Sequence, residues 1–200
     1  VGISSTVRGS AVWDSTGWGI DADEGSTISG CTAGYNDASG IKTLSAVTIV
    51  GCSASYNSGH GFEPGAGSTV RDCSAFFNTQ DGIHALRGSS ITGCTVALNE
   101  RDGIDVGIAC QVLQNTCEFN GYLGDGAGIR AGEFGGDNRI EGNNATSNDR
   151  GIDVDTDGNL IIRNSASGNT INYDIAANNK VGVIVAAPNS GAISGSTGGA

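Results

Sequence analysis

Cys31, Cys52, Cys73 and Cys94 follow one another at steps of 21 residues, and Asn36, Asn57, Asn78, Asn99 and Asn120 keep the same step. The glycines that open GID at 19, GIK at 40, GFE at 61, GIH at 82 and GID at 103 repeat in phase with them. Segments 26–46, 47–67, 68–88 and 89–109 therefore align letter on letter. A unit this short cannot bury an apolar face by itself, so a strict period of this length confines the chain to a solenoid. Each unit holds three short alternating stretches: Gly-Ile-x-small, x-Ile-x-Gly, and Cys-x-Ala-x-aromatic ending at asparagine. Alternation of period two predicts strands, and no helical stripe competes with it. The expectation is an all-β chain, a three-sheet parallel β-helix of about eight coils, with glycine and asparagine supplying left-handed backbone at the corners.

The columns that such stacking buries can be named. Ile20, Ile41, Phe62, Ile83, Ile104, Ile129 and Ile152 form one, and Ile28, Ile49, Val70, Ile91, Leu113, Ile140 and Ile162 another. Ala33, Ala54, Ala75, Val96, Cys117, Ala145 and Ala166 form a column of small residues, with Tyr35, Tyr56, Phe77, Leu98 and Phe119 expected beside it. In the later coils Asn115, Asn143 and Asn164 take the place that Cys31, Cys52, Cys73 and Cys94 hold earlier. The reading is one domain over 1–187, with coils near 5–25, 26–46, 47–67, 68–88, 89–109, 110–136, 137–158 and 159–187, and a Gly/Ser-rich tail over 188–200.

This Cys/Asn column and the NxxDGI strings at 78–83 and 99–104 resemble the right-handed parallel β-helix repeat of secreted bacterial proteins, the pectate-lyase-like superfold. The closing NYDIAANNKVGVIVAAP resembles the last segment of large secreted β-helix families. The resemblance implies a right-handed helix and a secreted or cell-surface location, and leaves activity open, because this fold hosts lyases, hydrolases, epimerases and adhesins. Composition agrees: 34 glycines with only 2 prolines exclude collagen, and a net charge of −11 argues against nucleic acid as a partner. No apolar run is long enough for membrane insertion by a helix. The absence of methionine reads as a processed mature segment or a fragment of something longer.

Function rests on the outward side of the Gly-Ile-x strand. Asp21, Lys42, Glu63, His84, Asp105, Arg130 and Asp153 fall there one per coil, with His60, Asp81, Asp102 and Arg150 on the flanking edge. Acids, a histidine and cations on one face suit polysaccharide lyase or uronate epimerase chemistry: His84 as base, Arg130 and Lys42 as charge stabilisers, Glu63 or Asp105 as orienting acids. Asp21, His60, Asp81, Asp102, Arg150 and Asp153 would then bind substrate. SGHG at 58–61 resembles the GHG element of polygalacturonase-type hydrolases, without that family's paired aspartates. Mixed charge on an exposed strand is also what solubility selects. Because the coils are nearly bare of walls, the leading expectation is a structural or interaction rod that self-assembles end to end into filaments or binds extracellular glycans, with the enzyme as alternative. Asp153, Asp155 and Asp157 before Gly158 spell D-x-D-x-D-G, the opening of a calcium loop without its closing glutamate. The ladder cysteines are expected as free, buried thiols, since parallel Cβ vectors strain a disulfide; a local Cys110–Cys117 bridge stays open.

Overall fold

The computed structural model describes residues 4–132, 135–182 and 185–186. The expected tail over 188–200, and part of the closing 181–187 segment, lie outside the described residues. Every described element is a strand. Two nine-stranded parallel sheets start at Thr6–Arg8 and Ala11–Trp13, and an eight-stranded third starts at Ile20–Ala22 and ends at Ile171–Ile175. Each strand pairs with the strand one coil before and one coil after it, which is the three-sheet parallel β-helix.

Alternation decides what is inside. In the third sheet Ile20, Ile41, Phe62, Ile83, Ile104, Ile129 and Ile152 stand in register, and Tyr173 closes the column. In the second sheet the alanine column from Ala33 to Ala166 keeps its register. The first sheet departs from the expectation. Its inward column continues from Ile91 through Val112, Ile140 and Ile161, while Leu113 and Ile162 pair with Glu141 on the outer face. In QVL and LII both neighbours are apolar, so composition does not mark the inward one, and a shift of one residue turns a side chain to the other face.

A second correction concerns the aromatic residues. Tyr35, Tyr56, Phe77 and Phe119 are exposed, with φ of 54°, 57°, 51° and 53°. Left-handed backbone at that corner swings the side chain out of the solenoid. There Tyr35 and Tyr56 stack with centroids 4.8 Å apart, and Tyr56 stacks on Phe77 at 5.3 Å. Their faces cover one another, so the stripe works as an external clamp along the rod axis. Left-handed glycine does turn corners as expected, at Gly30, Gly51 and Gly93 just before Cys31, Cys52 and Cys94, and at Gly67 and Gly88 just before Ser68 and Ser89, whereas the glycines that open the Gly-Ile strands serve a different need. Gly103 has no left-handed φ, and a Cβ there would lie 2.8 Å from Asn120 Nδ2 and 2.5 Å from the carbonyl of Gly128. It is glycine because the next coil leaves no room.

Each corner pairs one left-handed residue with a ladder residue whose side chain bonds the neighbouring coil. Asn36, Asn57, Asn78, Asn99, Asn120, Asn148 and Asn169 form one ladder, each Nδ2 donating to the next Oδ1. Ser68, Ser89, Cys110, Asn138, Asn159 and Asn179 fill a second corner, including Nδ2 donation from Asn138 to Asn159 at 2.9 Å. Cys31, Cys52, Cys73, Cys94, Asn115, Asn143 and Asn164 fill the third. All six cysteines are free and buried, and burial pushes the Cys117 thiol up, which makes it unreactive.

The switch of residue type in the third ladder makes a test. Asn115 Nδ2 donates to the Ile91 carbonyl at 3.1 Å, whereas Cys94 Sγ, a weak donor, stands 3.8 Å from the Val70 carbonyl. Cys94→Asn is expected to add amide hydrogen bonds and raise stability by about 1 kcal/mol in urea unfolding. A loss of stability would show that the column has no room for the larger side chain.

Candidate functional site

The third sheet carries its charge in a column. Asp21 pairs with Lys42 and Lys42 with Glu63, while His84 pairs with Asp105, Asp105 with Arg130, and Arg130 with Asp153. One step further, Asp153 pairs with Asp174, a residue the sequence reading passed over although it keeps the period. The column divides into three groups with different chemistry.

At one end Lys42 Nζ binds Glu63 Oε1 at 2.7 Å and lies 4.8 Å above the Trp18 ring. Burial opposes ionisation of Glu63, but Lys42 and the Ser39 hydroxyl, 2.8 Å away, outweigh it and hold the carboxyl below its ordinary range. This pair is closed on itself. Asp21 is exposed beyond it.

In the middle, His60 and His84 stack with ring centroids 4.7 Å apart and 16° between planes. One oxygen, Asp81 Oδ2, faces both: 3.1 Å from His60 Nδ1 and 3.4 Å from His84 Nδ1. Asp105 Oδ2 lies 3.1 Å from the same nitrogen of His84, and Asp105 Oδ1 is buried with no partner. Burial works against a charged ring at His84, yet the hydrogen bonds to Asp105 and Asp81 dominate and lift it to about 10. The same imidazoles hold Asp81 far below the carboxylate range against the cost of its burial. The Asp81 and Asp105 carboxylates favour the protonated form of the His84 ring.

The far end is a cleft of about 420 Å³ lined by Arg101, Asp102, Asp125, Gly126, Arg130, Arg150, Asp153, Asp155 and Asp174. It owes its wall to the one lengthened coil: ladder partners are 28 residues apart from Cys110 to Asn138 and from Asn120 to Asn148, where earlier coils have 21. The extra residues border the strand Ala127–Ala131, so Asp125 and Gly126 stand over the sheet face. Arg150 reaches Asp125 at 3.3 Å, Asp153 at 3.5 Å and Asp174 at 3.7 Å; Arg130 reaches Asp155 at 3.2 Å. Burial, then the charges of Asp81 and Asp105, push Asp102 up to about 7, although its Oδ1 accepts the Ala127 amide at 2.6 Å. Arg101, Asp125 and Asp174 were not anticipated: Arg101 and Asp125 lie in turn segments outside the periodic strand.

Asp153, Asp155 and Asp157 are not drawn together. Asp153 faces Arg150, Asp155 is held by Arg130, and among the described residues the only group bringing three ligating atoms within 4.8 Å of one another is His60, Asp81 and His84. The calcium loop expected there is replaced by acid–arginine pairing.

Asp153 also predicts a pH dependence. Burial, with the charges of Asp155 and Asp174, outweighs Arg150 and Arg130 and pushes its carboxyl up to about 6. A carboxyl that keeps its proton longer folded than unfolded stabilises the fold in acid, and that contribution is lost as pH rises from about 4 to about 6. Discounted for the open cleft, the effect is on the order of 1–2 kcal/mol. Asp153→Asn is expected to flatten this slope in urea unfolding between the two pH values; an unchanged slope contradicts the assignment.

The family model described as periplasmic copper-binding protein (NosD) matches residues 3–189. No curated protein matches the chain significantly. Among solved structures, the mannuronan C-5 epimerase AlgE6 A-module of Azotobacter vinelandii superposes with a TM-score of 0.83 at 17% identity, over 93% of this chain and 58% of that one. The periplasmic alginate epimerase AlgG gives 0.66 at 15% identity over 88% and 51%, and pectate lyase Pel9A gives 0.58 at 19% over 91% and 51%. At such identities the likeness is one of fold, and this chain spans little more than half the length of each. A repeat that runs through nearly the whole sequence, a parallel β-helix built from it and a family match from residue 3 to residue 189 place the chain in the NosD family.

Proposed function

We propose that this chain is an extracytoplasmic polysaccharide-binding rod that holds a uronate-containing glycan against its third sheet. The observation that carries the reading is the cleft, where three arginines and five aspartates share one concave surface. Guanidinium groups present paired donors suited to a sugar carboxylate, and carboxylates accept from sugar hydroxyls. The extension 121–126 supplies the wall that bare coils lack. The extracytoplasmic setting draws support from the family's description as periplasmic and from AlgG, a periplasmic epimerase.

The test is direct binding of alginate, pectate and a neutral glucan, each with and without calcium, by calorimetry. Saturable binding of the acidic glycans, with little for the glucan, supports the reading; no binding across the panel overturns it. A catalytic reading is favoured by Asp153, whose carboxyl titrates near 6 in the cleft beside Arg150. The same incubations decide it, through ultraviolet absorbance of unsaturated products and NMR of the sugar configuration.

Copper enters through the family's description. The donors that fit it are His60, Asp81 and His84: imidazole and carboxylate suit Cu(II), whereas the soft sulfur that Cu(I) prefers is confined to buried thiols. When bound, such an ion supplies positive charge and Lewis acidity beside the polysaccharide path. The protein's own part is to fix the two rings by stacking and to keep Asp81 ionised between them.

A further inference from the structure

The wall of the cleft has a second side. Its base is pinched: a Cβ added at Gly121 would fall 2.6 Å from the carbonyl oxygen of Gly126, and the Gly124 amide donates to the Gly121 carbonyl at 2.9 Å. Residues 122–125 therefore stand out from the coil as a narrow fin. Asp125 and Gly126 border the cleft, whereas Gly121 and Tyr122 border a separate hollow of about 270 Å³ that Ser147, Asp149 and Thr170 help to line. The two concavities adjoin again where Asp149, in the hollow, precedes Arg150, in the cleft, and the charge of Asp149 acts on that guanidinium. A chain lying in one reaches the other by crossing a neck a single pair of glycines wide.

The chemistry on the two sides differs. The cleft presents three arginines; among the described residues, the hollow is lined by no lysine, arginine or histidine. It offers instead the Ser147 and Thr170 hydroxyls, which both donate and accept, the Asp149 carboxylate, which accepts, and the Tyr122 side chain. Tyr122 is 46% exposed, yet its hydroxyl donates to Glu100 Oε1 at 3.3 Å, so the ring is tethered at its far end. A tethered ring beside hydroxyls and one acceptor suits an uncharged pyranose, whose C–H face packs on the aromatic side chain while its hydroxyls bond the polar groups. A sugar carboxylate placed there would meet Asp149 with no cation to answer it, in a chain that already carries a net charge of −11.

We infer that the hollow is a second glycan subsite, in which an uncharged sugar packs on Tyr122 next to a uronate seated at Arg130 and Arg150, so that the preferred ligand is a mixed polysaccharide of acidic and neutral residues. This rests on the polysaccharide reading and adds to it a subsite and a substrate class. The cleft itself agrees with spaced charge: its arginines stand among five aspartates, so a carboxylate is welcome beside a guanidinium and opposed a short way off. A glycan with a carboxylate on every sugar sets its next charge against Asp149, and an uncharged residue at that place removes the conflict.

The experiment titrates the full chain by calorimetry with three oligosaccharides of equal length: glucuronate alternating with N-acetylglucosamine, oligogalacturonate, and an oligomer of glucose. The alternating oligomer is expected to bind at least ~10-fold more tightly than oligogalacturonate, with the glucose oligomer weakest. Tyr122→Ala should weaken the alternating oligomer ~10-fold and oligogalacturonate much less, and Tyr122→Phe, which keeps the ring, should retain most of the affinity. Asp149→Lys should reverse the order by admitting a second carboxylate. Circular dichroism checks that each variant folds; if Tyr122→Ala does not, the preference of the wild type and its reversal by Asp149→Lys carry the test. Equal affinity of the wild type for the alternating oligomer and oligogalacturonate, or equal weakening of both by Tyr122→Ala, overturns the second subsite and leaves the arginine cleft standing. Binding of neither acidic oligomer overturns both.

Discussion

Asn99→Ala is expected to lower the free energy of unfolding by about 4 kcal/mol, a large share of what a domain this size holds. Asn99 is completely buried. Its Oδ1 accepts two hydrogen bonds from Asn78, from the backbone amide at 3.1 Å and from Nδ2 at 2.9 Å, while its own Nδ2 donates to Asn120 Oδ1 at 2.8 Å. Alanine leaves those groups of Asn78 and Asn120 facing one another across a gap, each an unsatisfied polar group costing about 1–3 kcal/mol, partly relieved by any water admitted. The position sits near the middle of the rod, and a solenoid is held only by contacts between neighbouring coils. The loss is therefore expected to divide the unfolding transition as well as shift it, with amides of 89–109 exchanging early. Urea unfolding followed by hydrogen exchange measures both. A shift below about 0.5 kcal/mol, typical of an uninvolved surface site, contradicts the ladder's assigned role.

The second large effect concerns binding. With alginate or pectate as the probe, the double substitution Arg130→Ala and Arg150→Ala is expected to weaken affinity by about 100-fold or more, and each single change by about 10-fold. A hydrogen bond to a charged partner contributes about 1.5–3 kcal/mol, and 1.4 kcal/mol corresponds to tenfold. Each loss is compounded locally. Without Arg150 the acids Asp125, Asp153 and Asp174 face a carboxylated ligand with no cation between, and without Arg130 Asp155 does the same. Arg150→Lys should restore only part of the affinity, because an ammonium keeps the charge and loses the paired geometry. Both arginines are partly exposed, so the variants should fold, which circular dichroism checks. Unchanged affinity in the folded double variant would remove the cleft as the binding surface and leave the bare sheet face in its place.

Much of the fold could be read directly from the sequence because stacking in a solenoid turns spatial neighbours into a fixed sequence offset. Asp105 lies beside His84 and Arg130 beside Asp105 for that reason alone. Leu113 and Ile162 were placed inside since nothing in an apolar run distinguishes odd from even positions, and pairing settled it in favour of Val112 and Ile161. The aromatic residues were placed inside because they are apolar, yet their residue position falls on the left-handed corner. Glycine turns corners through positive φ at Gly30, Gly51 and Gly93, as the repeat implies, but the packing of Asn120 against Gly103 requires only the absence of a side chain. The calcium loop was a local spelling that had no knowledge of Arg130, which arrives from the preceding coil to pair with Asp155.

What the sequence determined by itself is the architecture: a 21-residue step, alternating apolar residues and asparagines in phase admit one kind of stacking. What only the tertiary structure decided is which polar side chains meet away from the period. His60 and His84 are offset by more than one coil, so no column contains both, and Arg150 gathers Asp125, Asp153 and Asp174 from three different coils. Long side chains leaving a turn and a strand cross the short gap between coils and converge in directions that backbone register does not encode. The columns follow from repetition, and the sites follow from where repetition is broken.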